Sequence, residues 1–153
     1  MKIIFYIFTI FPLKMAFFMW DALFKVLPLN ILRLMPPFRV TKTNLSIAFP
    51  GLTRHELDLL AKESYKETLK SFYETLFTWS RSSKKIIHQT KKINNRFLFN
   101  SPEQKSGLII FALHNRSIDF MLRWISSQRS HTSLYKKIKS KSINRFVKKF
   151  REE

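Results

Sequence analysis

A chain of 153 residues has room for one ordinary domain, or for a small domain with a membrane-contacting segment, and not for two well-filled cores. Its 28 Lys and Arg against 10 Asp and Glu leave a formal charge of +18, which implies an anionic partner: nucleic acid, acidic lipid head groups or an acidic carrier protein. The absence of cysteine excludes disulfides, thiolate zinc sites and a cysteine nucleophile, and 16 Phe with 45% hydrophobic residues favour a lipid surface over a nucleic acid as the partner.

The N-terminus is strongly apolar. Between Lys2 and Asp21 the only charge is Lys14, so IIFYIFTIFPLKMAFFMW offers 18 residues, roughly 27 Å as a helix, against a hydrocarbon core of about 30 Å. Pro12 interrupts this marginal span. After it, Lys14, Asp21 and Lys25 fall in one narrow helical stripe, with Met, Phe, Trp and Leu elsewhere. That stripe predicts a helix lying in the membrane interface, preceded by a short inserted piece. A cleaved leader is the less favoured reading, because no small-residue cleavage site follows. Lys14, Lys25, Arg33, Arg39 and Lys42 beyond the apolar stretch, against Lys2 before it, would keep the rest of the chain in the cytoplasm. Residues 1–37 are therefore expected to be a membrane-anchoring or interfacial segment, and 38–153 a domain of their own.

Pro28 and the Pro36-Pro37 pair punctuate the approach to that domain. Pro50 and Gly51 then predict a turn, and Thr53 with Glu56 a capping box at the start of a long helix. Leu57, Leu60, Ala61, Tyr65, Leu69, Phe72, Tyr73, Leu76 and Trp79 recur at three- and four-residue spacing, which predicts one broad apolar stripe. Packing against a sheet is the plainer reading of this stripe, and a membrane interface the alternative. Five of the ten acidic residues, Glu56, Asp58, Glu63, Glu67 and Glu74, lie on this helix, so the remainder is more basic still.

From residue 80 to 100 the chain is polar and basic, with IIHQTKKI as a possible edge strand. LIIFAL then has the pattern of a buried strand, IDFMLRWISSQ of a helix and TSLYKKI of a second short strand. Strand, helix, strand over about thirty residues predicts a βαβ unit with a right-handed crossover, and hence an α/β fold. SINRFVKKFREE closes the chain as a basic amphipathic helix.

Ligands of open α/β sheets sit at the carboxyl ends of strands, where His114 is expected to fall. Asp119, on the first turn of the next helix, can fold back toward the imidazole and fix its tautomer, leaving the other nitrogen to take a proton from a hydroxyl. The competing readings are an aspartate that favours the helix dipole and a histidine that satisfies a loop carbonyl. The four histidines, His55, His88, His114 and His131, show no paired metal-ligand spacing, so neither a metal nor another cofactor is expected.

Asn44, Leu45, Phe49 and Pro50 before the long helix, His114 with Asp119, and Tyr135 with Lys136 come in an order that resembles the late acyltransferases of lipid A biosynthesis, the lauroyl/myristoyl transferase family. Asn115 stands where that family usually has an aromatic residue, and Lys136 where it has an arginine, which loses bidentate recognition. The resemblance implies a glycerolipid-acyltransferase-like fold, with the chain as a truncated, N-terminal half. It implies that His114 is the general base and Asp119 orients it. The donor would be a thioester on acyl carrier protein and the acceptor a hydroxyl of an anionic lipid A precursor. Arg116, Lys136 and Lys137 are the candidate substrate phosphate contacts, with a solvated basic face as the alternative. The expected location is the cytoplasmic face of the inner membrane. The rival from another class is a non-enzymatic basic protein that binds a membrane surface or a nucleic acid, on the strength of eight basic residues from Lys136 to Arg151.

Overall fold

The computed structural model describes residues 2–90, 92–99, 108–111, 118–128, 130–134, 136–137 and 139–152, the side chains of residue 2 and of 149–152 excepted. Proline sets the boundaries in the first third. Helix α1 (Lys2–Phe8) is followed by α2 (Leu13–Val26), α3 (Leu29–Leu34) and α4 (Pro36–Ala48). Each of the last three begins at or just after a proline, whose fixed φ suits a first turn. The residues before Pro28, Pro36 and Pro50 leave the helical region: Leu27 at ψ 117°, Met35 at ψ 120° and Phe49 at ψ 68°. The apolar N-terminus is thereby cut into helices of 7 and 14 residues. Among the described residues no helix is long and apolar enough to cross a membrane.

The chain divides into two compact units, one of residues 10–74 and one of 1–9 with 75–153. Helix α5 (Arg54–Ser80) gives residues to both. Its start is the expected capping box. The Thr53 backbone N–H and hydroxyl donate to Glu56 Oε2 at 2.8 and 2.7 Å, and the Glu56 N–H donates back to Thr53 Oγ1 at 3.3 Å.

In the unit of residues 10–74, Phe24, Leu32, Phe38, Ala61 and Tyr65 form the core. The Tyr65 ring meets Phe24 at 6.2 Å and the edge of Phe38 at 6.0 Å, so α2 and α4 both pack on α5. Charged contacts fix the same arrangement. Asp58 on α5, its side chain 3% exposed, accepts from Arg33 on α3 at 2.6 Å and from Lys42 on α4 at 2.5 Å. Burial alone would raise the Asp58 carboxyl, but the guanidinium and the ammonium beside it hold it below its usual value. The polar stripe expected to face lipid head groups is turned partly inward: Asp21 accepts from Lys70 at 2.6 Å and Lys66 at 3.1 Å on α5. Phe18 and Val26 of the same helix are 72% and 78% exposed, so α2 presents apolar side chains outward.

In the other unit, Arg81 ties the end of α1 to the end of α5. Its guanidinium donates to the Thr9 carbonyl at 2.5 Å and to Ser80 Oγ at 2.6 Å, and it stacks on Tyr6 at 3.9 Å and Phe77 at 4.5 Å. Phe5 packs against Trp79 and against the edge of Phe146 on α8 (Lys141–Glu152). Helix α6 (Ser83–His88) packs on α7 (Ile118–Gln128), and a short 3₁₀ turn (Arg96–Phe99) places the Phe99 ring edge-on to Trp124 at 4.8 Å.

The predicted α/β fold with its βαβ unit is not what the chain forms. Every regular element among the described residues is a helix. Most of the expected edge strand IIHQTKKI lies in α6 and the turn after it, and Ile86 is buried there. The described part of LIIFAL, residues 108–111, has no regular structure, and Ile109 and Phe111 are 83% and 94% exposed. The described part of TSLYKKI is likewise irregular, with Leu134 fully exposed. The physical reason is that a short apolar run suits a strand only when a neighbour completes its backbone hydrogen bonds, and among the described residues neither segment has one.

Candidate active site

Helix α7 carries the one catalytic candidate whose surroundings are described. Asp119 stands in its first turn, where the positive end of the helix dipole favours a carboxylate. It is only 7% exposed, which is not the setting of a residue that merely caps a surface helix. The Thr75 hydroxyl on α5 donates to Asp119 Oδ2 at 3.2 Å, across 44 residues of sequence. Arg123, one helical turn further along the same face, is also buried at 4% exposure. A carboxylate kept from water and oriented by a fixed donor is suited to hold another group, such as an imidazole, rather than to react itself.

A second face of α7 borders an open cleft of about 820 Å³ lined mainly by apolar side chains, of which Asp119 is not one. Residues 108–111 form one wall, Met121, Leu122 and Ile125 of α7 a second, and residues 130–134 a third, including His131. On α7 these cleft-facing positions lie roughly 200° to 300° around the helix from Asp119, so the carboxylate and the cleft occupy different sides of one element. A concave apolar space of this size can take a hydrocarbon chain.

His114 and Arg116 lie outside the described residues, so the structure does not test the histidine–aspartate pair. Lys136 and Lys137 are exposed and are not among the residues that line the cleft. Among the described residues no three His, Asp or Glu side chains gather as a metal site would require. Thr75, Arg123 and the cleft went unforeseen. Arg123 carries a weak signal, an arginine four positions after Asp119 in an otherwise apolar helix. Thr75 carries none, because its role depends on a distant contact.

The profile of the family described as bacterial lipid A biosynthesis acyltransferase matches residues 3–153. No curated protein and no solved structure matches the chain.

Proposed function

The chain belongs to the bacterial lipid A biosynthesis acyltransferase family, and on that basis we propose that it moves a fatty acyl group from an acyl carrier thioester to a hydroxyl of a lipid A precursor. The His114 imidazole takes the proton of the acceptor hydroxyl as the oxygen attacks the thioester carbonyl carbon. A carbon–oxygen bond forms, the tetrahedral intermediate collapses, the carbon–sulfur bond breaks, and the leaving thiolate recovers the proton from the imidazolium. Asp119 orients the imidazole and stabilises its charged form. No covalent acyl-enzyme enters the sequence of steps, in keeping with a chain that has no cysteine.

The observation that carries this reading is the burial of Asp119 on the first turn of α7, where the Thr75 hydroxyl donates to it. The charge of +18 supports it at longer range, since an acidic carrier and a phosphorylated acceptor would both be drawn in. Arg116, Lys136 and Lys137 are the proposed phosphate contacts. Residues 1–37 hold the chain at the cytoplasmic face of the inner membrane, and 38–153 carry the transfer. The test is a transfer assay with an acyl carrier protein thioester and a lipid A precursor. His114→Ala is expected to lower the rate by about a hundredfold to ten-thousandfold, and equal rates for wild type and variant would contradict the assignment.

A further inference from the structure

Arg81 and Arg123 are both buried in the unit of residues 1–9 with 75–153. A guanidinium keeps its charge in a protein interior, so the fold has to surround it with acceptors or an acid. Arg81 is provided for by the Thr9 carbonyl, the Thr9 and Ser80 hydroxyls and the rings of Tyr6 and Phe77. Arg123 sits on α7 beside Trp124 and Ile125, which are buried as well. Acids are scarce around it. Among the described side chains of this unit Asp119 is the one acid. In the other unit, Asp21, Glu56, Asp58, Glu63 and Glu67 have partners of their own, and Glu74 is buried.

Asp119 and Arg123 are the two charged residues of α7 and stand four apart, the acid nearer the N-terminus, which is the order in which such a pair meets best. The elements around α7 bring no second buried ion among the described residues. Residues 75–80 of α5 are uncharged, Lys84, Lys85 and His88 of α6 are exposed, and Arg96 of the 3₁₀ turn donates to Gln128 Oε1 at 2.9 Å. Arg123 is also not one of the residues that line the cleft, so its place is beside the carboxylate and not beside an acyl chain. We infer that Arg123 is a positioning residue that acts through Asp119, its guanidinium holding the carboxylate from one turn along α7 while the Thr75 hydroxyl holds Oδ2 from α5. Two anchors on two helices present the imidazole of His114 with an acceptor fixed in one place. The catalytic consequence rests on the acyl-transfer reading; the link between Arg123 and Asp119 does not.

The experiment crosses Arg123→Met with Asp119→Asn in the full chain and reads both the unfolding constant in urea and the kcat and KM of acyl transfer. Each single change strands a buried charge, whereas the pair removes both. The unfolding constant of the double variant should therefore rise at least about fivefold less than the product of the two single effects. Losses that multiply in full would overturn the inference and leave Arg123 serving the fold apart from Asp119. In the transfer assay, Arg123→Met is expected to lower kcat about tenfold to a hundredfold with KM within about threefold of wild type, and Arg123→Lys, which keeps the charge, to recover all but about threefold. Added to Asp119→Asn, Arg123→Met should cost less than about twofold more. A raised KM with kcat kept would overturn the inference in favour of a substrate contact. If circular dichroism shows that Arg123→Met does not fold, Arg123→Gln takes its place in both readouts. Absence of transfer by wild type would contradict the acyl-transfer reading, and the urea cycle would then decide the link between Arg123 and Asp119 by itself.

Discussion

Asp58 and Asp119 are both buried aspartates of α-helices. Asp58 is neutralised by two cations from neighbouring helices, so its contribution is to stability. Its carboxyl is held below the usual value, which means that the folded state keeps it ionised where the unfolded chain begins to take up a proton. That stability is present above the unfolded pKa of about 3.9 and is lost as pH falls through the depressed folded value. The urea midpoint of wild type should therefore decline on acidification from roughly pH 5 to pH 3, and Asp58→Asn, less stable by about 2 kcal/mol near neutrality, should show a flatter decline. Asp119 accepts from the Thr75 hydroxyl. Thr75→Val is expected to lower the transfer rate by about tenfold while Thr75→Ser retains it, since only the hydroxyl is needed to hold the carboxylate. Asp119 was visible as a candidate in the sequence through its spacing from His114. Thr75 was not, because a helix residue 44 positions away becomes its neighbour only in the folded chain.

At the scale of elements, signals that act locally were legible and those that need a distant partner were not. Thr53 and Glu56 announce the start of α5 because a capping box closes within one turn. The prolines at 12, 28 and 36 announce the short helices because their restriction falls on themselves and the residue before. The apolar stripe of α5 was right at Leu57, Ala61 and Tyr65 and wrong at Phe72, which is 62% exposed. The segments at 86–93, 108–113 and 132–138 have the pattern of strands, because short apolar or β-branched runs do not reveal whether a neighbouring strand exists. Ile86 satisfies its side chain in a helix instead. The importance of the α5 packing can be measured directly. Phe38, with no exposed surface, should cost about 3–5 kcal/mol when changed to Ala, seen as a lower urea midpoint. Val147→Ala should cost about 1–2 kcal/mol on the same measure, because that side chain is buried.

For the whole molecule, the balance of charge and apolar surface governs what the chain meets. A protein of +18 with several isoleucines and phenylalanines exposed near its N-terminus is suited to a wet, anionic, partly apolar boundary. Its affinity for any anionic partner should fall steeply as salt is raised, because exposed cations are screened beyond about 8 Å at physiological ionic strength. Family membership supports acyl transfer in lipid A biosynthesis, and the proposed step is proton removal by His114 under the control of Asp119. The most direct test is a double-mutant cycle on the transfer rate with His114→Ala, Asp119→Asn and the pair combined. If the two act as one unit, the double variant is no slower than His114→Ala alone; losses that multiply would show that they act separately and would contradict the mechanism.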